Sequence, residues 1–309
     1  MIQTPTVLVL GAGASNPYRF PLGSGLLNDV LAALPGGNYS SRSTSQQTAV
    51  DTLSSIFPHE DLTAFRIALE GTGKMSIDSF LARNSNRFKE IGKAAIAATL
   101  LGYEHYSLRR PSEGDWYREI YALMDSGLDI GKNKLTVVTY NYDRSFEEFL
   151  RRSLISDCGA SEVQAGEAVK SLPILHLHGS LGPLPGMEPE TIPFGAEANR
   201  HHVMRAAQRI KIIHEENVVQ HPDFDRARAA LAAAHRIYFL GFGYAHENLR
   251  RLLAAGLNSK QKQVLGTLRG LKEAEKIRLD AFLDSAGFKI EFVDADCCDF
   301  LRDRCFHML

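Results

Sequence analysis

Residues 6–26, TVLVLGAGASNPYRFPLGSGL, constrain the chain more than any other stretch. Val7, Leu8, Val9 and Leu10 form an unbroken aliphatic run, the pattern of a central strand buried on both faces. Gly11 and Gly13 follow at once and lead into a segment that reads as the start of a helix. A strand, a glycine turn and a helix let backbone amides approach a phosphate closely, so a nucleotide is the first ligand to consider. A dinucleotide fingerprint would have a third glycine where Asn16 stands, and a second strand ending in an acidic residue about twenty positions on. Here the chain runs instead into Pro35, Gly36, Gly37 and the polar stretch NYSSRSTSQQ, which disfavours an ordinary nicotinamide dehydrogenase. The same turn would also serve as a bare structural corner.

Strand-length apolar runs recur at 7–10, 135–139, 174–177, 237–240, 264–267 and 290–293, most of them followed by a helical pattern. That alternation predicts an α/β, Rossmann-like parallel sheet flanked by helices, with helical insertions. One domain over 1–309 is expected, with a mainly helical insertion at 36–134 and a loop and helical lid-like insertion at 181–234. Within these, helices are expected at 80–88, 91–106, 116–124, 198–216 and 223–235. In open sheets of this kind ligands sit beyond the carboxyl ends of strands. The residues there are 11–15, 140–143, 178–180 and 241–243, and four chemically distinct turns would converge on one crevice.

Three function classes recede on composition. Lysine and arginine total 35 against 36 acidic residues, so no global field draws the chain to nucleic acid. Cys158, Cys297, Cys298 and Cys305 make neither a zinc motif nor a secreted disulfide framework, and the adjacent His201 and His202 point apart on a helix. No metal is expected. The start of the chain has no secretory pattern and no run nears the roughly twenty apolar residues of a membrane span, so a soluble, cytoplasmic protein with no membrane partner is expected.

The remaining turns are rich in polar groups. TVVTYNYDRSFEEFL ends a strand and delivers Tyr140, Asn141, Tyr142 and Asp143; both Asn141 and Asp143 could instead cap the helix that follows. In ILHLHGSLG, period-two alternation puts His176 and His178 on one side of the strand. His178, followed by Gly179, is the candidate for chemistry, and His176 is expected to support the sheet. RIYFLGFGYAHENLRRL supplies Gly241 and Gly243 ahead of a helix opening near Glu247.

This ordered set resembles the sirtuin family, in particular the divergent bacterial sirtuin-like domains associated with NAD hydrolysis and defence against phage. GAGAS is similar to that family's opening turn, which implies that the backbone from Ala12 to Ser15 contacts the cofactor pyrophosphate, with Gly11 and Gly13 beside it. YNYD is similar to its N-x-D motif. The resemblance implies that Asn141 orients the nicotinamide ribose and the attacking water, that Asp143 holds the nicotinamide carboxamide or its pocket, and that His178 is the catalytic histidine. Gly241 and Gly243 stand at a cofactor-binding turn, and SIDSFL, residues 76–81, resembles a helical motif frequent in the defence-associated branch. The two cysteine pairs that hold zinc in protein-deacylating sirtuins are absent, which disfavours deacylation.

The chemistry agrees with the resemblance. Nicotinamide leaves NAD as a neutral molecule and needs no acid, so a dry pocket, a group to stabilise an oxocarbenium-like ribose and one base suffice. The expected activity is therefore that of an NAD glycohydrolase, an NAD+ nucleosidase, acting in antiviral defence by abortive infection. The alternatives are a non-catalytic NAD or ADP-ribose sensor, and an NAD-dependent deacylase or ADP-ribosyl transferase. Control by homo-oligomerisation, or by a separately encoded ATPase or translocase, follows as an expectation from the same family setting.

Overall fold

A computed structural model describes residues 1–36, 42–73, 76–107, 113–124, 126–212, 222–253, 257, 259 and 261–304. Part of the polar stretch at 38–47, the basic pair Arg109 and Arg110, the end of the helix expected over 198–216, and Cys305 lie outside them. Six strands, β1 (Thr6–Leu10), β2 (Leu135–Thr139), β3 (Ile174–His176), β4 (Arg236–Leu240), β5 (Gln263–Thr267) and β6 (Glu291–Val293), form one sheet in the order β3-β2-β1-β4-β5-β6. Every pairing is parallel. The Rossmann-like α/β class expected from the alternating runs is the observed one.

β1 occupies the centre, with Thr6 in register with both Leu135 of β2 and Arg236 of β4. Its side chains alternate between two cores, as the period of a strand requires. Leu8 and Leu10 join Val137, Tyr238 and Leu240 on one face, while Val7 and Val9 join Val138, Ile237 and Phe239 on the other. All five β1 residues are buried, so a polar residue on either face would be costly.

The chain between β1 and β2 is helical: α1 (Ala12–Ser15), α2 (Gly23–Ala32), α3 (Thr44–Ile56), α4 (His59–Glu70), α5 (Ile77–Ser107) and α6 (Trp116–Met124). Their apolar faces build the first core. α7 (Ser145–Cys158) and α8 (Glu162–Ser171) link β2 to β3, and α9 (Arg200–Arg209) and α10 (Pro222–Ala233) precede β4. α11 (His246–Leu253), α12 (Glu273–Ser285) and α13 (Cys297–Arg304) complete the chain, α10 to α12 contributing to the second core.

α5 departs from the expected pair of helices at 80–88 and 91–106. It is one helix broken at Asn84, whose backbone (φ −116°, ψ 20°) leaves the helical region. The break is sharp: Leu81 folds back so that a Cβ at Gly92 would lie 2.4 Å from its Cδ2. In a straight helix residues eleven apart would be separated by about 16 Å. Asn84 Nδ2 donates to Phe80 O (3.0 Å), and Phe80 and Phe88 stack at 6.2 Å beside Phe65. Asparagine suits the break because its side chain competes locally for backbone hydrogen bonds. The first two turns of α5 are thereby turned towards the carboxyl ends of the strands.

Candidate active site

The sheet order reverses between β1 and β4, and ligands of open α/β sheets lie at such a switch point. There the two glycine turns interlock. Gly11 N donates to Leu240 O (3.1 Å) and Gly13 N to Gly241 O (2.9 Å). A Cβ on Gly11 or Gly13 would meet Gly241 O at 2.7 or 2.8 Å, and Gly241, at φ +55°, would place one 2.0 Å from Ala14 N. These three positions therefore need glycine for close approach of one turn to the other. Gly243 differs, since a Cβ there would meet nothing within 4 Å.

A cavity of about 230 Å³ opens above this junction, lined by Gly11, Ala12, Asp78, Tyr140, Asn141, His178, Gly243, Glu247 and Asn248 among others. Ala12, Gly23, Phe242 and Gly243 also border a second cavity of about 620 Å³ that runs over β5 and β6 past Thr267, Arg269 and Asp296. The two are neighbouring parts of one groove along the strand ends, within the ~300–1,000 Å³ range of small-molecule clefts.

Asn141 sits just beyond β2. Its Nδ2 donates to Gly11 O and to Ser15 Oγ, both at 2.9 Å, which ties the exit of β2 to the glycine turn. Its Oδ1 has no partner among the described residues and remains free to accept a hydrogen bond, and Asn141 lines the cavity. His178 is almost wholly buried, edge-on to Tyr140 with ring centroids 5.4 Å apart. Its carbonyl accepts from Lys211 N (2.8 Å), and a Cβ on Gly179 would collide with Arg209 O at 2.0 Å. Gly179, at φ +72°, thus lets the end of α9 pack against the histidine turn, where Ile210 forms a bridge and the helix stops short of the expected length. Lys211 and Ile212 reach the cavity from this segment.

Asp143 and Ser15 lie behind the cavity wall. Both are buried, and Asp143 accepts from Ser145 N (3.1 Å) and the Ser145 hydroxyl, which also meets Tyr117 Oη at 2.6 Å. Burial pushes the Asp143 carboxyl above the usual range, while hydrogen bonds from Ser145 and Ser15 pull it back. Its observed work is to hold the first turn of α7 and the glycine turn together. Of the residues read from the sequence, Gly11, Ala12, Asn141, His178 and Gly243 line the first cavity; Gly13 and Gly241 line the second.

His176 supports the sheet exit: its Nδ1 meets Asn141 O at 2.9 Å and its Nε2 meets Glu147 Oε1 at 2.7 Å. Burial disfavours the imidazolium, but the Glu147 carboxylate and the Asn141 carbonyl outweigh it and raise the pKa above 6.5. A histidine pKa raised on folding adds stability that is fully present below the unfolded value and is lost as pH rises through the folded one. The loss of stability in H176Q is thus expected to be larger at about pH 6 than at about pH 9, measured by urea unfolding; an equal loss at both would contradict the pairing.

Asp78 is the residue that sequence reasoning missed. It stands in the first turn of α5, lines the cavity, accepts from the Tyr142 hydroxyl and places Oδ1 3.5 Å from His178 Nδ1. Burial works against its carboxylate, yet His178 and Tyr142 prevail and its pKa falls below the ordinary value. The signal lay inside SIDSFL, where an acid in a first helical turn passes for a dipole partner. Glu247, paired with Arg251, and Asn248, whose carbonyl accepts from Tyr140 Oη (2.9 Å), complete the far wall. Cys297, beside the second cavity, is a poor nucleophile, because burial pushes its thiol up to about 12.

No group of three or more metal-ligating side chains occurs among the described residues, and no helix there is long and apolar enough to cross a membrane. Residues 135–289 match the family described as SIR2-like domain. The match begins with β2 and takes in Asn141, Asp143, His178, Gly241 and Gly243, while the glycine turn after β1 precedes it. No curated protein aligns with the chain at a significant level.

Proposed function

Since the chain belongs to the family of SIR2-like domains, whose members are NAD-dependent enzymes, we propose that it hydrolyses the nicotinamide–ribose bond of NAD, releasing nicotinamide and ADP-ribose. The observation that carries this reading is the meeting of Asn141 and His178 in one cavity with the Gly11–Ala12 turn. The groove continues past Gly243 into the larger cavity, which leaves room for the adenosine half of a dinucleotide.

The reaction consumes one NAD and one water. The C–N bond to the pyridinium breaks with both electrons going to nitrogen, so nicotinamide departs neutral and positive charge develops on the ribose. Asn141 Oδ1 accepts a hydrogen bond from the attacking water or a ribose hydroxyl. His178 takes the proton that water releases as the new C–O bond forms, and passes it to solvent. The aromatic walls of Tyr140, Phe242 and Tyr244, all buried, keep other water away from the reacting carbon.

In this reading the protein is an effector of antiviral defence that acts by depleting NAD. Such an activity has to be held in check, and assembly into a homo-oligomer or contact with a separately encoded ATPase or translocase would supply the control. The test is nicotinamide release from NAD by the purified protein over a protein concentration series, beside N141A and H178A. Release that rises steeply with concentration and vanishes in both variants supports the hydrolase and its control by assembly. Tight NAD binding with no release at any concentration would favour a sensor, and release only with an acceptor protein present would favour a transferase.

A further inference from the structure

We propose that Asp78 is a positioning residue for His178: its carboxylate holds the imidazole proton on Nδ1, so that Nε2 is the bare nitrogen able to receive a proton. This rests on the hydrolase reading for the role of His178, and goes beyond it in assigning a second ionisable group and the fold element that supplies it.

Three observations carry the inference. Asp78 Oδ1 is the carboxylate oxygen facing His178, 3.5 Å from Nδ1, and both residues border the same cavity. The carboxylate is itself fixed, because the buried Tyr142 hydroxyl donates to that same oxygen and Tyr142 packs against the His178 ring at 5.9 Å. The third observation is the break at Asn84. Without it α5 would continue straight, and its first turns would not double back onto Gly92 with Asp78 at their head. The aromatic cluster of Phe65, Phe80 and Phe88 packs the returned segment in place.

A carboxylate beside Nδ1 favours the tautomer with the proton there and stabilises the imidazolium that forms when Nε2 takes a second proton. The charge that does this is present in the folded protein at neutral pH, since the Asp78 pKa is lowered. No proton passes to Asp78 in the reaction. It differs from Asp143, which is committed to Ser145 and Ser15 behind the wall.

The test combines a spectroscopic and a kinetic readout. The protein is labelled with 15N-histidine, and the ring nitrogens of His178 are assigned by their loss in H178A. The wild type is expected to carry its proton on Nδ1, and D78A to shift the population towards the Nε2-protonated form. D78L, which fills the space without an acceptor oxygen, serves if D78A does not fold. With NAD, kcat is expected to fall on the order of 10²-fold in D78A while KM stays within about threefold, and D78E to recover part of the rate. An unchanged tautomer in D78A, or in D78L if D78A does not fold, would overturn the proposal. If the wild type released no nicotinamide the hydrolase reading would fail, while the ring spectra would still decide the role of Asp78.

Discussion

H178A is expected to slow nicotinamide release by about 10²- to 10⁴-fold, the usual cost of removing a positioned base. KM should change little, because the ring is nearly buried and many other residues line the cavity. N141A should differ in kind. Its amide bridges Gly11 O and Ser15 Oγ, so its loss loosens the glycine turn as well as removing the acceptor Oδ1. Both kcat and KM are expected to worsen, and the unfolding midpoint to drop. Steady-state kinetics over an NAD series, beside thermal unfolding, separates the two; equal KM shifts in both variants would contradict these roles.

R144M is expected to cost about 3–5 kcal/mol of stability, the range for breaking a buried ion pair from one side. Arg144 is 1 % exposed at the start of α7, and its guanidinium donates to both Glu104 oxygens (2.8 and 2.9 Å). It also donates to the carbonyls of Gly182, Pro183, Ile192 and Pro193, and Glu104 Oε2 accepts from Gly195 N (3.0 Å). One side chain thus satisfies four backbone carbonyls of the loop over 182–193 and pins it to α5. Burial raises the Glu104 carboxyl above its usual 4.5, against the pull of Arg144, and without Arg144 the rise is larger. A carboxyl raised on folding destabilises increasingly as pH climbs above the unfolded value. The deficit of R144M is therefore expected to shrink near pH 5 and to be partly restored at neutral pH by adding E104Q, as urea unfolding of the single and double variants would register. A deficit below about 1 kcal/mol would contradict the hub.

The strands and the site were legible to different depths. Unbroken aliphatic runs disclosed all six strands within a residue or two, because a strand covered on both faces has no polar alternation to obscure it. Gly11, Asn141, His178 and Gly243 were legible because strand ends in a parallel sheet all point one way, so a reading of turns is already a reading of one crevice. Asp78 and Arg144 were not. Asp78 reaches the cavity only because the backbone breaks at Asn84, six residues away, and nothing in the apolar period of α5 announces a reversal. Arg144 follows YNYD on what looks like a solvated helix start, and its burial depends on a loop some forty residues later closing over it. Both are long-range effects, in which the partner and not the local pattern decides what a side chain does.

The central place of β1 has a consequence for how the molecule is made. Thr6 leaves the ribosome well before either of its strand neighbours, one of which begins at Leu135 and the other at Arg236. At ~5–20 residues per second, β1 waits on the order of ten to fifty seconds for its second neighbour. Throughout that interval an aliphatic strand has at least one bare edge, a hazard that chaperones exist to cover. The same order of emergence sets when the groove becomes complete. Gly11 and Asn141 can be brought together as soon as β2 has emerged, but His178 and the Gly241–Gly243 turn must follow, and Thr267, Arg269 and Asp296 of the second cavity come later still. A nascent chain therefore holds no complete groove until β4 and the strands after it have emerged.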